Sequence, residues 1–383
     1  MKIVFFSNFI NHHQVNVADE LYRQTDKNYH FVELIPIYDW LIRGGYFNFS
    51  SRPYVIQAWK SKENMEKAME LLYSSDVALF SCPESLPYEV IRAKTGKLTI
   101  DISERWLKRG WLNLASPRLL KYLWYYHTVF AKQNVYKLCS SAFACGDHYK
   151  LHSFKNKCYK WGYFTRVDDD LTFEASPGVS TSRTLHSLMW CARFLKWKHP
   201  ELPIQLAASL KSKGYRFVLD MYGSGEELDS AKVLAKQLGV DDVVRLNGNL
   251  PNEEILKAML QHEIFLFTSD RNEGWGAVAN EAMSNGCAIV ASDAIGSVPF
   301  LIKDGENGCT FKSCDLNSLC KKVEWLLDHA TQREQIAKNA YQTMRDVWSP
   351  QNAAKNFMTF VEALLNGKKP TIEDGPCSKA FPI

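Results

Sequence analysis

The sequence predicts an α/β protein with two Rossmann-like domains, each built on a parallel sheet. In both halves of the chain, short apolar runs alternate with helical stretches, and a segment of linker composition separates the two series. The length of 383 residues agrees, since one hydrophobic core rarely serves more than about 250–300 residues. We therefore expect a first domain at 1–167, a linker at 168–185 and a second domain at 186–349.

The first half opens with a strand-like run at 2–7, followed by a polar loop at 8–14 and a helix to about residue 22. Buried strands are expected at 77–80 and 98–102, with helical sequence such as 63–72 between them. This alternation is typical of a parallel sheet.

The second half repeats the pattern from residue 188. Before it, three aspartates at 168–170 and a run rich in Ser, Pro and Gly at 175–184 indicate the linker. A helix at 350–366 is expected to complete the first domain, and 367–383, with three prolines and no periodicity, is expected to be a loose tail. The expected strands of the second half are 188–191, 217–221, 243–246, 264–267 and 288–291, and its expected helices run to 238 and over 252–260 and 275–285.

Composition indicates a globular protein, with 46% apolar and 23% charged residues. A net charge of +4 does not by itself indicate a nucleic-acid partner, and we expect none. Ten cysteines without a C-x-x-C pair favour free thiols in a reducing compartment. No apolar run approaches the ~18 residues of a membrane span, so we expect a cytoplasmic protein, either free or peripheral on the inner face of the membrane.

The segment 267–276 runs from a strand end into an expected helix that contains Glu281, eight residues after Glu273. Eight helical residues span about 12 Å, comparable with the distance from a sugar across a diphosphate to a ribose. Gly274 and Gly276 bracket the helix start, whose free N–H groups and dipole favour a diphosphate. The two carboxylates could accept hydrogen bonds from hydroxyls of the sugar and the ribose.

A purely structural interpretation of the same segment remains open. Trp275 and four later residues recur at helical spacing and are expected to be core, whereas Glu281 lies off that face and could be a solvated charge. The later core residues are Val278, Ala279, Ala282 and Met283.

Several motifs in order strengthen the functional interpretation. They are Tyr222-Gly223-Ser224-Gly225, Asn247-Gly248-Asn249-Leu250, Glu273-Gly274-Trp275-Gly276, Glu281-Ala282-Met283, Gly286, Ala288-Ile289-Val290-Ala291-Ser292, Asp304-Gly305-Glu306-Asn307-Gly308 and Trp348-Ser349-Pro350. The ordered set resembles the signature regions of the retaining family 4 glycosyltransferases, which have the GT-B fold, over about residues 186–365.

The resemblance implies two parallel sheets facing a central cleft, and a donor site in the second domain. It places Arg193 and Lys198 on the diphosphate, where fixed cations stabilise the charge that develops on the leaving group. It implies that Glu273 holds the sugar and Glu281 the ribose. The other implied donor contacts are Gly223, Gly248, Asn249, Leu250, Arg271, Asn272, Gly274, Trp275 and Gly276.

The resemblance has departures in the cationic loop. Cys191-Ala192 replaces a usual glycine before Arg193, and His199 replaces a usual glycine after Lys198. These changes put the path of the loop in question, though not its charges. The alternative is that Lys196, Lys198 and His199 form an ordinary basic surface loop.

We expect no metal ion and no cofactor, since a nucleotide-sugar would be a substrate. The D-x-D sequence at 168–170 lies in the linker and is best interpreted as a solvated acidic turn. The paired cations would serve in place of a metal.

The acceptor is expected on the first domain, where the sequence matches the family poorly. His12, His13 and Gln14 follow the first strand, and Glu104 and Arg105 follow the strand at 98–102, so all five lie beyond carboxyl ends of strands. They are candidate acceptor or sugar contacts. Helix capping and packing explain the first three equally well.

Residues 105–137 contain seven Lys or Arg residues and no acid, interleaved with eight aromatic residues. This pattern suits an anionic membrane surface or an anionic acceptor. An aromatic core with a solvated basic face is an equal alternative, and RNA a weaker one.

These observations together predict a retaining glycosyltransferase. It would move a sugar from a nucleotide diphosphate-sugar to a glycan or lipid-linked acceptor, in synthesis of cell-surface polysaccharide or glycolipid. A GT-B-type nucleotide-sugar epimerase and a non-catalytic two-domain ligand-binding protein are the alternatives.

Overall fold

The computed structural model describes residues 1–39, 47–167, 173 and 185–383. The chain forms two compact units. The N-terminal domain comprises Met1–Arg166 and Val347–Ile383, and the C-terminal domain comprises Val167–Asp346. These bounds lie within three residues of the expected bounds at 167 and 349.

The predicted linker at 168–185, including its D-x-D sequence, falls outside the described residues except for Phe173 and Leu185. Phe173 is buried and its ring lies 6.0 Å from that of Tyr341, in the core of the C-terminal domain.

The N-terminal domain is built on a seven-stranded parallel sheet in the order β3-β2-β1-β4-β5-β6-β7. Its strands are β1 (Ile3–Ser7), β2 (Tyr29–Glu33), β3 (Val55–Gln57), β4 (Val77–Phe80), β5 (Leu98–Ser103), β6 (Val135–Cys139) and β7 (Cys158–Lys160). In the described residues before position 350, its helices are α1 (Val15–Gln24), α2 (Lys62–Ser74), α3 (Leu86–Lys94), α4 (Pro117–Thr128) and α5 (Ala142–Lys150).

Continuous apolar sequence explains the central strands of this sheet. Every residue of β1 and β4 is buried, as expected where helices cover both faces of a parallel sheet. On one face Val4, Phe6 and Phe80 pack in a cluster with Ala68 and Leu72 of α2.

The chain returns to the N-terminal domain through the last helix, α13 (Pro350–Leu365). Ser349 caps this helix by accepting a hydrogen bond from the Asn352 amide, and Pro350 occupies its first turn. The helix packs on α1, and the ring of Phe360 lies 4.7 Å from that of Tyr159 on β7.

The C-terminal tail also belongs to the fold, which corrects the predicted loose tail at 367–383. The Cys377 amide donates to Lys160 O at 2.7 Å, and the Ala380 amide donates to Cys158 O at 3.2 Å. Cys377 and Ser378 are buried. These backbone bonds satisfy polar groups on the outer edge of β7, a long-range pairing that composition does not reveal.

The C-terminal domain is built on a six-stranded parallel sheet in the order β10-β9-β8-β11-β12-β13. Its strands are β8 (His186–Cys191), β9 (Phe217–Tyr222), β10 (Val244–Gly248), β11 (Ile264–Phe267), β12 (Ala288–Ser292) and β13 (Cys309–Phe311). Its helices are α6 (Glu201–Ser212), α7 (Leu228–Gln237), α8 (Asn252–Gln261), α9 (Val278–Ser284), α10 (Val298–Leu301), α11 (Leu316–Asp328) and α12 (Ala330–Gln342).

Both domains are therefore α/β with a parallel, Rossmann-like sheet, which confirms the predicted fold class. The central cleft stays a prediction.

Candidate functional site

Four neighbouring strands of the C-terminal sheet end in the segments that the sequence predicts to bind the donor. Strands β10, β9, β8 and β11 lie side by side and run parallel, so their carboxyl ends share one edge of the sheet. Arg193 follows β8, Gly223 follows β9, Gly248 ends β10, and Glu273 lies in the loop after β11. One edge of a single domain thus gathers four separate predicted segments.

The loops after β8 and β9 touch through their backbones, and two glycines permit this contact. A β-carbon at Gly223 would lie 1.9 Å from the Ala192 carbonyl oxygen, and one at Gly225 would lie 2.3 Å from that of Phe194. Both glycines also have positive φ angles, +130° and +152°. The turn after β9 therefore packs directly against the loop that carries Arg193.

Lys198 and Glu273 form an ion pair that ties the loop after β8 to the loop after β11. The two side chains are only 12% and 10% exposed. The Ser269 hydroxyl donates to Glu273 Oε2 at 2.9 Å, and Lys198 Nζ lies 4.2 Å from the centre of the Trp197 ring. The Thr268 hydroxyl donates to Lys198 O at 2.7 Å. The two predicted groups are therefore adjacent, partnered and held by several contacts.

Arg193, in contrast, is exposed, and its side chain makes no hydrogen bond or ion pair with any described residue. Arg271 is exposed in the same way. Asn272 is used locally, since its amide and its side chain both donate to Asp270 Oδ1, at 2.8 and 2.9 Å. Among the described residues of these two loops, the unpaired positive charge thus lies on Arg193, Lys196 and Arg271.

The helix start between Glu273 and Glu281 differs from the prediction. Helix α9 begins at Val278, and the left-handed φ of +81° at Gly276 keeps the preceding residues out of the helix. The estimate of about 12 Å for eight helical residues is therefore wrong, because less than half of the segment is helical. A loop of glycines, rather than a helix, follows Glu273.

Trp275 is buried in the core, and its indole Nε1 donates to Asn280 Oδ1 at 2.9 Å. Any contact of Trp275 with a donor is therefore confined to its backbone. The other predicted core residues Ala279, Ala282 and Met283 are buried, and Val278 is half-buried.

Glu281 is half-buried and accepts a hydrogen bond from Asn252 Nδ2 at 3.0 Å. Burial raises the pKa of its carboxyl, and the Asn252 bond opposes the rise. Burial and the Glu281 charge raise the pKa of the Cys191 thiol to about 12, while Lys198 opposes them. Glu281 is therefore electrostatically coupled to the end of β8, near the cationic loop.

The base side of the predicted donor site is built from the ends of β9 and β10. The Gly223 amide donates to Gly248 O at 2.8 Å, and Asn249 Nδ2 donates to Ser224 Oγ at 2.8 Å. Leu250 is exposed. These residues form a continuous surface beyond both strand ends.

His199 is a site residue whose role the sequence did not reveal. Its φ of +51° is left-handed, which agrees with the glycine usual at this place in the family. Its Nδ1 lies 2.7 Å from Glu201 Oε1 and its Nε2 lies 3.5 Å from Asp270 Oδ2. The bond with Glu201, aided by both carboxylates, raises the pKa of His199 and thereby favours a third cation beside Lys198.

Two adjoining cavities lie at the carboxyl edge of the N-terminal sheet. The His13 cavity, of about 410 Å³, is lined by residues including Asn8, His13 and Gln14. The Glu89 cavity, of about 420 Å³, is lined by residues including Glu89 and Asp101. Both are lined by Ser81, Ser103 and Glu104, and Arg105 lines the Glu89 cavity. Four of the five predicted acceptor residues, all except His12, therefore line a cavity.

His13 stacks on Tyr163 with ring centres 4.9 Å apart. Burial, with a smaller contribution from the neighbouring His12, lowers the pKa of His13 to about 3. His13 Nδ1 and Gln14 Oε1 are buried atoms without a hydrogen-bond partner among the described residues. His12 is exposed, so His13 and Gln14 are the members of the predicted loop that face a cavity.

Glu104 and Arg105 are both held by neighbours. Glu104 accepts hydrogen bonds from the Tyr163 hydroxyl at 2.7 Å and from Lys108 Nζ at 3.0 Å. Arg105 lies 3.5 Å from Asp147, while its buried Nε has no partner among the described residues.

The basic aromatic stretch at 105–137 divides into a buried part and an exposed part. Tyr126 and Phe130 are core, and the fully buried Lys137 pairs with Asp101. The exposed part includes four large apolar side chains, which we call the aromatic patch, and four basic residues. The aromatic patch is Trp111, Leu112, Leu120 and Trp124, and the exposed basic residues are Arg109, Arg118, Lys121 and Lys132.

Among the described residues, no group of three or more His, Cys, Asp or Glu side chains is arranged to hold a metal ion. In the same part of the chain, no helix has the length and apolar character required to cross a bilayer.

The second half of the chain is similar to known proteins. Residues 186–343 match the family model of glycosyl transferases group 1. The match covers β8 to α12, and therefore every strand end that forms the predicted donor site.

Curated relatives match the same half. The D-inositol 3-phosphate glycosyltransferase of Corynebacterium aurimucosum is 30% identical over 183 residues, 46% of this chain and 43% of the relative. The MMP alpha-(1->4)-mannosyltransferase of Mycolicibacterium hassiacum is 29% identical over 201 residues, 52% of this chain and 44% of the relative. The aligned part of the chain thus spans less than half the length of each relative.

Solved structures match nearly the whole chain. Anabaena HepE in complex with UDP superposes with a TM-score of 0.70 at 14% identity, covering 95% of this chain and all of HepE. A glycosyltransferase from Rickettsia africae gives a TM-score of 0.68 at 14% identity, covering 96% of this chain and 99% of the other. At these identities the likeness concerns the fold alone, and that fold is GT-B.

Proposed function

We propose that the protein is a retaining glycosyltransferase of family 4 that uses a nucleotide diphosphate-sugar. Its acceptor is a glycan or a lipid-linked molecule, and the reaction serves the synthesis of cell-surface polysaccharide or glycolipid. The observation that carries the proposal is the gathering of Arg193, Lys198 and Glu273 at neighbouring strand ends, within the segment that matches glycosyl transferases group 1.

The cations act on the diphosphate. When the bond between sugar and phosphate breaks, the leaving nucleoside diphosphate gains negative charge, and fixed cations stabilise it most in the transition state. Arg193 is exposed and unpaired among the described residues, so its guanidinium is free to donate two parallel hydrogen bonds to phosphate oxygens. Lys198 contributes a point charge that it shares with Glu273.

The remaining donor contacts follow from position. Glu273 accepts hydrogen bonds from hydroxyls of the transferred sugar, and Glu281 accepts them from the ribose. Gly223, Gly248, Asn249 and Leu250 form the base side. Arg271, Asn272 and the backbone from Gly274 to Gly276 border the diphosphate and the sugar. No metal ion is required, because the cations occupy the place that a metal would take.

UDP is the first nucleotide to test, because HepE was solved with UDP and in separate crystals with UDP-glucose. On the acceptor side, His13 and Gln14 in the His13 cavity, and Glu104 between the two cavities, are the contacts we propose. His12 and Arg105 lie beside them.

The proposed location is the cytoplasm, on the inner face of a membrane that holds a lipid-linked acceptor. The aromatic patch and its exposed Lys and Arg neighbours have the composition that anionic lipid surfaces attract.

The decisive variant is Arg193→Ala. We expect the rate of UDP release from the preferred UDP-sugar, with membrane extract as acceptor source, to fall by about 10²–10³-fold. Arg216→Ala is the matched control, because Arg216 is an exposed arginine that precedes β9 at the opposite edge of the same sheet. An unchanged rate in the Arg193 variant would contradict the proposal.

Product analysis separates the alternatives. A glycosyltransferase yields a glycosylated acceptor, with the donor's anomeric configuration if it is retaining. An epimerase would convert the nucleotide-sugar without any acceptor, and a binding protein would leave it intact.

A further inference from the structure

The Glu89 cavity lies beyond the ends of β4 and β5, between α3 and α4. Its volume of about 420 Å³ is within the range of small-molecule sites, about 300–1,000 Å³. Its lining includes Glu89 from α3, Asp101 from β5, and Arg118 and Tyr122 from α4. None of these four residues was a candidate in the sequence.

Glu89 is a buried carboxyl group without a hydrogen bond to any described residue, and its Oε1 is fully enclosed. Helical spacing puts it on the apolar face of α3 with Leu86, Val90 and Ala93. A buried carboxyl without a partner lowers stability, so its presence on this face calls for a partner from outside the chain.

Burial and the nearby Asp101 disfavour the charged form of Glu89, and none of the described neighbours forms a hydrogen bond with its carboxyl group. Asp101 is already bonded to Lys137 Nζ at 2.8 Å and accepts a further hydrogen bond from the Tyr126 hydroxyl. Burial first, and then the charge of Asp101, raise the pKa of Glu89 well above its usual range, while Lys137 opposes this. A neutral carboxyl both donates and accepts, which matches a hydroxyl group.

The same cavity also has positive charge available. Arg118 is exposed and makes no ion pair with any described residue. Arg105 also lines the cavity; its guanidinium lies 3.5 Å from Asp147, but its buried Nε lacks a partner among the described residues. Lys108 is less available, because it is paired with Glu104. An anionic group at Arg105 and Arg118 would satisfy both.

We propose that the Glu89 cavity binds a hydroxyl-rich ring that carries a phosphate or carboxylate group. Glu89 exchanges hydrogen bonds with a hydroxyl, and Arg105 and Arg118 hold the anion. The inference rests on the proposed function in that this ring is part of the acceptor, seated next to Glu104.

Binding of three simple probes to the full chain tests the proposal. D-glucose 6-phosphate, D-glucuronate and D-glucose share a hydroxylated ring and differ only in the anionic group. By calorimetry or ligand-observed NMR we expect the phosphate or the carboxylate probe to bind at least ten-fold more tightly than glucose. Preference between the two identifies the anion.

Two variants of Glu89 separate recognition from packing. Glu89→Gln keeps a neutral group that donates and accepts, so it should bind the preferred probe within about three-fold of wild type. Glu89→Leu should bind about ten-fold more weakly, and should melt at a higher temperature, because an unpartnered polar group is replaced by an apolar one.

Titration of UDP in the same samples keeps the two proposals distinct. UDP binding should be equal in wild type and both variants. If UDP binds but no probe does, or if Glu89→Leu binds the probe as well as wild type, the cavity inference is overturned while the donor site stands. If the probe binds as described and UDP does not, the proposed function is what fails.

Discussion

The two domains share one architecture, yet they handle polar groups at the carboxyl edge of the sheet differently. In the C-terminal domain, Lys198 is paired with Glu273 and Arg193 faces solvent. Some buried side-chain atoms in the described residues of that domain lack a hydrogen-bond partner. All of them are serine hydroxyls, those of Ser284, Ser292 and Ser297.

In the N-terminal domain, the unpartnered buried atoms include charged or strongly polar groups that line the two cavities. They include Glu89 Oε1, His13 Nδ1, Gln14 Oε1 and Arg105 Nε. The difference agrees with our proposals. The carboxyl edge of the C-terminal sheet, which we call the donor edge, has its polar groups partnered within the chain, whereas that of the N-terminal sheet, which we call the acceptor edge, lacks hydrogen bonds that a bound acceptor would supply.

The contact between the loops after β8 and β9 can be disrupted at Gly223. Gly223→Ala forces a β-carbon to within 1.9 Å of the Ala192 carbonyl, so we expect unfolding of the C-terminal domain to need about 3 kcal/mol less free energy, with loss of UDP binding. Gly214→Ala is the control, because Gly214 also has positive φ, +81°, but open space at its β-carbon. Equal losses in urea unfolding of the two variants would show that the loop contact is dispensable.

Sequence alone predicted the donor edge because its elements are local. Each expected strand of the second half matches an observed strand within two residues at either end, since apolar runs bounded by turns define buried parallel strands. The position of the predicted site residues after these strand ends follows from the strand prediction, whereas the roles of Arg193 and Lys198 are implied by the resemblance to family 4 glycosyltransferases and stay predictions. The start of α9 was the exception, as the left-handed Gly276 cannot be distinguished by pattern from a helical glycine.

The acceptor edge was less predictable because its groups come from separate elements. Glu89 lies inside a helix and Asp101 inside a strand, and only the tertiary fold brings them together. A signal for Glu89 existed in the sequence, namely an acid on the apolar face of a helix. The packing of the tail on β7 depends on pairing between residues 377 and 160, more than 200 positions apart, which no local pattern encodes.

The pairing at the donor edge can be examined through Glu273→Gln. This change frees Lys198 from its carboxylate, so the ammonium can interact fully with a phosphate. We expect UDP to bind about ten-fold more tightly than to wild type, while transfer from the UDP-sugar falls. Calorimetry with UDP measures the first effect and product release the second. Weaker UDP binding in Glu273→Gln would mean that the pair does not restrain Lys198.

Surface composition offers a third test on the acceptor domain. Replacing Trp111 and Trp124 together by Ala should reduce cosedimentation with vesicles containing anionic lipid by about five-fold, because both rings are exposed beside basic residues. Trp59→Ala is the control, since Trp59 is exposed elsewhere in the same domain. Equal vesicle binding by the double variant and wild type would contradict the proposed membrane-surface contact of the aromatic patch.

The smallest expected effect concerns the buried polar atoms of the His13 cavity. The pKa of His13 in the folded protein is about 3, below its usual 6.5, so the unfolded chain takes up the proton first as the pH falls. Stability that is present above pH 6.5 is therefore lost progressively toward pH 3. Between pH 6.5 and 5 we expect the low pKa of His13 to lower the free energy of unfolding by about 1 kcal/mol. This is roughly half of the loss expected for a fully buried ring, because His13 is partly exposed.

Urea unfolding of wild type and His13→Gln at both pH values isolates this contribution. The variant should lose about 1 kcal/mol less than wild type on acidification, whereas His152→Asn, which alters an exposed histidine of the same domain, should lose as much as wild type. If His13→Gln lost as much as wild type, the ring would be protonated in the folded state. His13 would then already have a partner, and the contrast between a complete donor edge and an incomplete acceptor edge would rest on the Glu89 cavity alone.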